Sequence, residues 1–383
     1  MGRVSKIKTI IINIRLLQGP YTGVQSYVYN LVKHLILSGK KYHFRLAVSS
    51  YQGGNQYIDD LLSRPQVELV NITLPEFGLP GFLFDHVYIY FWLKRAKVYL
   101  SPVNILPFFK NKKTKYLVGV LDLCTFIVPQ TTTKSLKLYY DLFLRSSLSR
   151  ADKIITISQS TKIDVHQLFR IPLSRIQNIP LGVDKNLADL RSVKQVPHAR
   201  ESFSPKTPYF LCIGSSKRKN LENTLLAYNR LRKTTDQKVY LVIVVGDPTM
   251  IKYINTLART SAYKQDIFLT RKFVSISNLS WLYRHAMALV YCSYYEGFGL
   301  PILEAMINHC AVIAANNSSL PEVVGSAGVL VDPYNPEAIA SAMETILVNK
   351  KRRLKLVNDG AKRARKFAWS KTANTLLSLI NRI

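Results

Sequence analysis

Two carboxylates, Glu296 and Glu304, lie eight positions apart and enclose a Gly-x-Gly turn followed by a proline. Pro301 is a natural first residue of a helix, because the N–H group that proline lacks would have no partner at that position. The pattern therefore predicts a helix over residues 301–308. It also predicts that the turn is a loop that enters this helix from a strand at residues 288–291.

The turn itself has the properties of a phosphate site. Backbone N–H groups at the start of a helix converge at the positive end of the helix dipole, where an anion is stabilised. The groups in question belong to Gly297, Phe298, Gly299 and Leu300. Glu304 would lie one turn into the helix, close to the bound group. A sugar nucleotide fits such a place, because it is anionic in its middle and carries hydroxyls at both ends for the carboxylates to accept from.

A second candidate cluster follows the strand predicted at residues 209–213. Arg218 and Lys219 come shortly after this strand, and the next helix is predicted to be capped by Asn220. Two cations at the end of a strand can clamp a diphosphate and stabilise its developing charge as it leaves. In a chain this rich in lysine, a generic basic loop is the alternative interpretation of these residues alone.

Near the start of the chain, the loop 19–27 follows the first predicted strand and opens the first predicted helix. Gly23 lies in this loop, and a residue without a side chain is needed where the backbone must approach a phosphate or a sugar closely. The spacing is not G-x-G-x-x-G, so it gives no support to a dinucleotide-dependent dehydrogenase.

Taken together, these segments resemble the retaining glycosyltransferases with a GT-B fold, the GT4 family. The likeness rests on the E-x7-E pattern of residues 296–304 and extends to residues 293–295 and 320–325. Family members also carry an Arg-Lys-Asn sequence where this chain has residues 218–220. The loop around Gly23 is similar to the family's glycine loop, with Thr22 in place of the first glycine.

The resemblance implies a role for each matching residue. Glu296 would contact the hydroxyls of the donor sugar and support an oxocarbenium-like transition state, and Glu304 would accept from the ribose. Arg218 and Lys219 would hold the diphosphate with the turn amides, and Gly23 would close over it from the first domain.

The chain also departs from the family. Leu121 stands where members commonly have a histidine that faces the transferred sugar near its 6-position, whereas the following Asp122 is retained as a candidate catalytic residue. Leucine makes no hydrogen bond, and a buried hydroxyl without a partner costs about 1–3 kcal/mol. Either the sugar lacks a 6-hydroxyl, as a 6-deoxyhexose does, or the chain is a catalytically silent scaffold. Ser215 is a second departure, because some members have an arginine there.

The elements that must position these residues alternate regularly between short apolar strands and helices. In the first half, strands are predicted at residues 8–14, 44–49, 98–101, 116–120 and 153–156, with helices at 24–37, 135–149 and 158–169. In the second half, strands are predicted at 209–213, 239–245, 288–291, 311–315 and 328–331, with helices at 221–232, 251–259, 301–308 and 336–348.

Such alternation predicts an α/β protein with two doubly wound parallel sheets. The resemblance makes this a GT-B fold of two facing Rossmann-like domains. We expect an acceptor-binding domain at residues 1–184, a linker at 185–207 and a nucleotide-sugar-binding domain at 208–368. Residues 369–383 are expected to form a helix that crosses back to the first domain.

Composition and charge indicate where the protein acts and what it contacts. The 383 residues carry a formal charge of +30, spread over both halves, which favours contact with polyanions such as an anionic lipid surface. Basic residues are interleaved with bulky apolar ones at 82–97 and 105–116, as in membrane-surface segments. We find no signal peptide and no apolar run of the roughly 20 residues that a spanning helix needs. The four cysteines lack metal-site or disulfide spacing.

The sequence thus predicts a cytoplasmic enzyme, peripheral on the inner membrane leaflet. It would move mannose or a 6-deoxyhexose from a nucleoside diphosphate donor to a lipid-linked glycan in surface polysaccharide assembly. The sequence contains no D-x-D pair, so we expect no metal and no cofactor. A nucleic-acid-binding protein is the less favoured alternative, because the basic residues are dispersed and no nucleic-acid motif accompanies them.

Overall fold

The computed structural model describes residues 8–19, 22–74, 80–184, 207–214, 216–270 and 274–383. The chain divides into two compact units. The first unit comprises residues 1–125, 133–182 and 369–383, and the second comprises 126–132 and 183–368. The predicted linker, 185–207, lies outside the described residues apart from Thr207, as does Ser215.

The first unit is built on a seven-stranded parallel sheet with the order β3-β2-β1-β4-β5-β6-β7. Its strands are β1 (Lys8–Asn13), β2 (Tyr42–Ser49), β3 (Val67–Ile72), β4 (Val98–Ser101), β5 (Lys115–Val120), β6 (Lys153–Thr156) and β7 (Ile176–Asn178). The helices along this part of the chain are α1 (Gly23–Ser38), α2 (Gln56–Leu62), α3 (Pro80–Leu83), α4 (Ile89–Trp92), α5 (Cys124–Ile127), α6 (Lys134–Arg150) and α7 (Gln159–Phe169). A π-helical turn, Phe84–Tyr88, joins α3 to α4.

The second unit contains a six-stranded parallel sheet with the order β10-β9-β8-β11-β12-β13. Its strands are β8 (Tyr209–Ile213), β9 (Tyr240–Val244), β10 (Ile267–Leu269), β11 (Ala288–Tyr291), β12 (Ala311–Ala315) and β13 (Val329–Val331). Its helices are α8 (Leu221–Thr234), α9 (Ile251–Arg259), α10 (Ile276–His285), α11 (Leu300–Ile307), α12 (Leu320–Val324), α13 (Pro336–Val348) and α14 (Lys350–Ala364).

Central strands of both sheets are buried along most of their length, as expected for parallel sheets covered by helices. Every residue of β9, β11 and β12 is buried, and so is the Ile10, Ile11 and Ile12 run of β1. Cys212, Cys292 and Cys310 are buried thiols in the second unit. No helix in the described ranges has both the length and the apolar character to span a bilayer.

The last helix, α15 (Trp369–Asn381), belongs to the first unit. Trp369 lies against Tyr27 of α1, with the ring centroids 6.4 Å apart. The hydroxyl of Tyr42 donates to Asn381 Oδ1 at 2.5 Å, and Thr372 Oγ1 donates to the Pro180 carbonyl at 2.7 Å. The predicted α/β class, the two doubly wound sheets and the return of the terminal helix are thus confirmed.

Candidate functional site

Strand order determines where the site of the second unit can form. The connections run in one direction from β8 to β9 and β10, and in the other direction from β11 to β12 and β13. Ligands of doubly wound sheets bind outside the carboxyl ends of the strands at such a reversal. Arg218 and Lys219 follow β8, and Glu296 follows β11, so the topology brings the two predicted clusters together at this point.

Glu296 is the centre of the cluster. Its side chain is buried, with the residue only 5% exposed. Arg218 Nη1 lies 3.0 Å from Glu296 Oε2, and Lys219 Nζ lies 2.7 Å from Glu296 Oε1. Each carboxylate oxygen therefore has its own cation. Arg218 Nη1 also donates to the Tyr295 carbonyl at 3.1 Å, and Lys219 Nζ donates to the hydroxyl of Tyr291.

The electrostatics of this group follow from its burial and its two cations. Burial by itself would raise the pKa of Glu296, because it disfavours the charged form. The charges of Arg218 and Lys219 outweigh that effect and lower the pKa of Glu296 to about 2. Burial, followed by the charge of Glu296, raises the pKa of Tyr291 well above its usual range. At neutral pH the site therefore holds an ionised carboxylate beside a neutral phenol.

A second loop holds the Glu296 backbone in place. Glu296 donates its N–H to Ser318 Oγ at 3.0 Å, and Ser319 Oγ donates to the Glu296 carbonyl at 2.8 Å. Asn317 Nδ2 donates to the Tyr294 carbonyl at 2.9 Å. The sequence predictions missed all three partners, which lie more than 20 residues further along the chain. Only the match at residues 320–325, directly after them, indicated that this stretch had a role.

Gly214 explains the direction of the Lys219 side chain. Its φ is +109°, a conformation that residues other than glycine rarely adopt. A Cβ atom at this position would lie 2.8 Å from both Cγ and Cε of Lys219. The missing side chain thus leaves the path along which Lys219 reaches Glu296.

The prediction that the Asn220 side chain caps helix α8 is wrong. Asn220 does precede the helix, but its side chain makes no capping hydrogen bond. It is buried and donates instead to the carbonyls of Cys292 at 2.9 Å and Pro333 at 2.6 Å. Its backbone is left-handed, with a φ of +56°. Asn220 therefore ties the loop after β8 to the loop after β11.

Helix α11 begins at Leu300 and ends at Ile307, one residue earlier at each end than predicted. Gly299 precedes it with a φ of +103°, and a Cβ atom there would lie 2.8 Å from Leu320 Cδ2. Gly297, Phe298 and Gly299 are buried, and the Phe298 ring packs edge-on against Phe367 with centroids 6.0 Å apart. The turn that was predicted to bind phosphate does lead into a helix. Phosphate binding at this turn stays a prediction.

Glu304 lies in α11 and is half-buried. It accepts a hydrogen bond from the hydroxyl of Tyr283 at 2.9 Å. Burial raises the pKa of Glu304, and the Tyr283 hydrogen bond only partly opposes this. The charge of Glu304 also contributes to the raised pKa of Tyr291, so the two predicted carboxylates face the same tyrosine.

The other two predicted residues, Gly23 and Asp122, belong to the first unit. Gly23 is the exposed first residue of α1, and a Cβ atom there would meet nothing within 4 Å. Asp122 follows β5, and its Oδ1 accepts the N–H of Cys124 at 3.2 Å. Their functional roles stay predictions. Among the described residues, no three His, Cys, Asp or Glu side chains group as metal ligands would.

The chain is similar in sequence to known glycosyltransferases. Residues 194–363 match the family model described as glycosyl transferases group 1. The O-antigen chain mannosyltransferase B of Escherichia coli is 27% identical over 372 residues, which cover 91% of this chain and 93% of that protein. The serotype-specific mannosyltransferase WbdA of the same organism is 28% identical over 241 residues, or 62% of this chain and 30% of that protein.

Solved structures resemble the whole chain. WaaG, described as a glycosyltransferase involved in lipopolysaccharide biosynthesis, superposes with a TM-score of 0.72 at 15% identity, covering 97% of this chain and 99% of WaaG. Anabaena Alr3699/HepE, solved in complex with UDP and glucose, gives a TM-score of 0.71 at 14% identity, covering 98% and 100% of the two chains. At these identities the likeness concerns the fold, and the predicted GT-B fold is confirmed.

Proposed function

Because residues 194–363 carry a glycosyl transferases group 1 domain, as the motifs predicted, we propose that this glycosyltransferase is a retaining enzyme that uses a nucleoside diphosphate sugar. Glu296 contacts the donor sugar, and Glu304 accepts from the ribose. Arg218 and Lys219 hold the diphosphate together with the amides of residues 297–300. Gly23 and Asp122, both in the first unit, remain the candidate binding and catalytic residues of that unit.

One observation carries this proposal, namely the buried carboxylate of Glu296 between two cations. A nucleoside diphosphate brings negative charge to the same cations, and it competes with Glu296 for Arg218 and Lys219. When the diphosphate takes over these contacts, the Glu296 oxygens become available to the hydroxyls of the sugar. Before the donor binds, the two cations hold the pKa of Glu296 at about 2, so the donor meets an ionised carboxylate, which stabilises positive charge that develops on the sugar ring.

Retention of configuration requires that the acceptor hydroxyl attack from the face that the diphosphate leaves. In the proposed reaction, the bond between the anomeric carbon and the diphosphate oxygen breaks as the acceptor oxygen bonds to that carbon. The acceptor proton passes to a phosphate oxygen of the leaving group. Arg218 and Lys219 neutralise the charge on that group, so the reaction proceeds without a metal ion.

The donor sugar we favour is mannose, because the curated relatives named above are mannosyltransferases. One residue favours a 6-deoxyhexose instead. Leu121 is half-buried directly after β5 and cannot accept a hydrogen bond from a 6-hydroxyl. Kinetics with GDP-D-mannose and GDP-D-rhamnose compare matched sugars, because D-rhamnose is D-mannose without its 6-hydroxyl. A clear preference for mannose would exclude the 6-deoxyhexose.

The acceptor we propose is a lipid-linked glycan at an anionic membrane surface, on the cytoplasmic side. Phe91 and Phe109 are each 59% exposed and Trp92 is 42% exposed, which is unusual for such large apolar rings. The ring of Tyr90 joins the two stretches, because its centroid lies 5.7 Å from that of Phe109. Lysines 94, 110, 112 and 113 are exposed and lie within a few residues of these rings in the sequence.

Liposome flotation tests this surface. We expect binding to vesicles that contain anionic lipid, weakened by salt and by the double substitution Phe91→Ser and Trp92→Ser. Substitution of the exposed Tyr334 by Ser in the second unit is the control, since it removes an exposed ring elsewhere. RNA binding with equal salt sensitivity, and no vesicle binding, would favour the nucleic-acid alternative.

The transferase activity is tested in two steps. Thermal-shift screening of a nucleotide-sugar panel identifies the donor, and release of nucleoside diphosphate then reports its consumption. Glu296→Gln should abolish transfer while the donor still binds, and Glu344→Gln, at an exposed carboxylate of α13, should leave both unchanged. Transfer by Glu296→Gln within about tenfold of the parent, which is roughly 1.4 kcal/mol of barrier, would refute the role of Glu296. A chain that neither binds nor consumes any donor is a silent scaffold.

A further inference from the structure

The sheet of the first unit has its own reversal of strand order, between β1 and β4. The connections run from β1 to β2 and β3 in one direction, and from β4 to β5, β6 and β7 in the other. Asn13 is the last residue of β1, and Ser101 is the last residue of β4. The same topological position carries the Glu296 cluster in the second unit, so a ligand site is expected here as well.

A cavity of about 140 Å³ occupies this position. Every residue that lines it belongs to the first unit. Its polar lining comes from several different elements and consists mainly of Asn13, Arg15, Asp85, Ser101, Asn104 and Tyr140. Sites for drug-sized ligands measure roughly 300–1,000 Å³, so this cavity fits a single small ring rather than a nucleotide.

The charges in the cavity cancel. Arg15 Nη2 lies 2.5 Å from Asp85 Oδ2, and Arg15 Nε lies 3.2 Å from Asp85 Oδ1. Asn13 Nδ2 donates to the same Asp85 Oδ1 at 2.9 Å. Because the guanidinium already has a bidentate carboxylate, it provides no net charge to attract a phosphate. The cavity therefore offers both hydrogen-bond donors and acceptors without a net charge, and this combination suits a polyhydroxylated ligand.

Asn104, in the wall of this cavity, combines a left-handed backbone with a buried side-chain oxygen that has no hydrogen-bond partner among the described residues. Its φ is +49°, and it is only 7% exposed. Its Nδ2 donates to the Tyr140 hydroxyl at 3.1 Å, whereas its Oδ1 is buried and has no hydrogen-bond partner among the described residues. Buried acceptors without partners are rare in native proteins. Asparagine adopts left-handed backbone more readily than most residues, and non-glycine residues in this conformation cluster at functional sites.

The backbone of Asn104 is held in place by a contact with strand β5. Asn104 donates its N–H to the Gly119 carbonyl of β5 at 2.6 Å. A Cβ atom on Gly119 would lie 2.0 Å from the Pro102 carbonyl oxygen, so only glycine lets the two segments approach this closely. The loop that carries Asn104 is thus fixed against β5, and the amide has little freedom to find another partner.

The cavity also adjoins a predicted functional residue. Burial raises the pKa of Tyr140, and the charge of Asp122 adds to that rise. Asp122 is therefore within electrostatic range of the cavity wall. Asp122 follows β5 and Asn104 follows the neighbouring strand β4, so both lie at the same edge of the sheet, beyond the carboxyl ends of these strands.

We propose that this cavity binds one sugar ring of the acceptor, and that Asn104 is a specificity residue that accepts a hydrogen bond from one of its hydroxyls. The proposal rests on the glycosyltransferase function above and extends it to the acceptor. The hydroxyl satisfies the buried Oδ1 of Asn104, while the Arg15–Asp85 pair both donates to and accepts from neighbouring hydroxyls. The rings of Tyr139 and Tyr140 form the wall on the α6 side.

Saturation-transfer NMR on the full chain tests the site with a panel of methyl glycosides. The panel comprises the α-mannoside, α-glucoside, α-galactoside, α-rhamnoside and β-N-acetylglucosaminide. Asn104→Gly removes the amide, and glycine tolerates the positive φ, so this variant keeps the backbone conformation. We expect at least one glycoside to bind the parent and to bind Asn104→Gly about tenfold more weakly. Tyr140→Phe should weaken the same glycoside to a smaller extent.

Asn30→Leu is the matched control, because it removes an asparagine amide of α1 that bonds within its own helix, to the Ser26 carbonyl. Binding that is equal in Asn104→Gly and the parent would overturn the proposal. So would binding of inorganic phosphate in competition with the glycoside, or failure of every glycoside to bind the parent. Unchanged thermal unfolding of Asn104→Gly excludes general damage, and Tyr140→Phe provides a second test if that variant proves unstable.

The two proposals fail in distinguishable ways. Release of nucleoside diphosphate to water needs the donor site but no acceptor. A chain that consumes donor but binds no glycoside keeps the proposed function and loses this inference. A chain that binds a glycoside through Asn104 but consumes no donor keeps the sugar site and loses the transferase.

Discussion

The ion pairs of the buried Glu296 with the half-buried Arg218 and Lys219 lead to a prediction about stability that needs no substrate. The fall of the Glu296 pKa from 4.5 to about 2 corresponds to about 3 kcal/mol of native-state stabilisation. Glu296→Gln preserves the shape of the side chain but removes its charge, and it leaves both cations without this counter-ion. We therefore expect the local free energy of unfolding to fall by about 3 kcal/mol at pH 7, within the range for breaking a buried ion pair.

The pH dependence has a definite sign. The pKa of Glu296 is lower in the folded state than in the unfolded state, so its contribution is fully present above pH 4.5. That contribution is lost as the pH falls towards about 2. The parent should lose stability over this interval, whereas the contribution is absent from Glu296→Gln at every pH. The difference between the two proteins should therefore shrink as the pH falls.

Amide hydrogen exchange of peptides from β8 and β11 measures this locally, so the separate unfolding of the two units does not obscure it. Inorganic pyrophosphate, the part common to all nucleoside diphosphates, should stabilise Glu296→Gln more than the parent, because it replaces the missing charge. Glu344→Gln, on the surface of α13, should behave as the parent does. A loss below about 1 kcal/mol, the upper end for exposed pairs, would refute the buried-pair reasoning.

Three further predictions follow from neighbouring residues. Glu304→Gln should not destabilise the second unit at pH 7. Burial raises the pKa of Glu304, so the charge of this carboxylate opposes folding. Destabilisation comparable to that of Glu296→Gln in the same exchange assay would contradict this. Gly214→Ala should cost about 1–3 kcal/mol in thermal unfolding and weaken pyrophosphate binding, because its φ is +109° and its Cβ atom would meet Lys219. Gly246→Ala, where a Cβ atom meets nothing within 4 Å, is its control, and equal effects would exclude the steric explanation. Transfer activity should survive EDTA, since fixed cations hold the diphosphate; complete loss that Mg²⁺ restores would show that a metal is required.

Strands that are buried on both faces could be predicted from the sequence to within a residue or two. Those at 98–101, 153–156, 209–213, 288–291 and 311–315 have the predicted bounds. The strands that were missed, β3, β7 and β10, have only one neighbour or are three residues long. β3 alternates between exposed and buried positions, so its apolar signal is weak.

The second-unit site was largely predictable because its charged groups lie in two short segments. Residues 218–219 and 296–304 each combine unusual residue types at close spacing, and the parallel sheet brings them to one edge. The supporting contacts were not predictable. Asn220 was expected at a helix cap, yet its amide donates to carbonyls 72 and 113 residues further along the chain. Nothing in the local sequence indicates that choice.

The chemistry of the two proposed ligands, a diphosphate in the second unit and a sugar ring in the first, explains why the cavity beside Asn104 was not predicted from the sequence. A diphosphate is a compact anion, so neighbouring backbone amides and adjacent cations bind it, and these can come from one turn and one dipeptide. A sugar ring carries its hydroxyls around its edge, so its partners must approach from several directions. The cavity beside Asn104 accordingly takes its polar groups from separate elements of the first unit. A donor site can therefore leave a compact motif in the sequence, whereas a sugar-binding acceptor site has to be found from the folded structure.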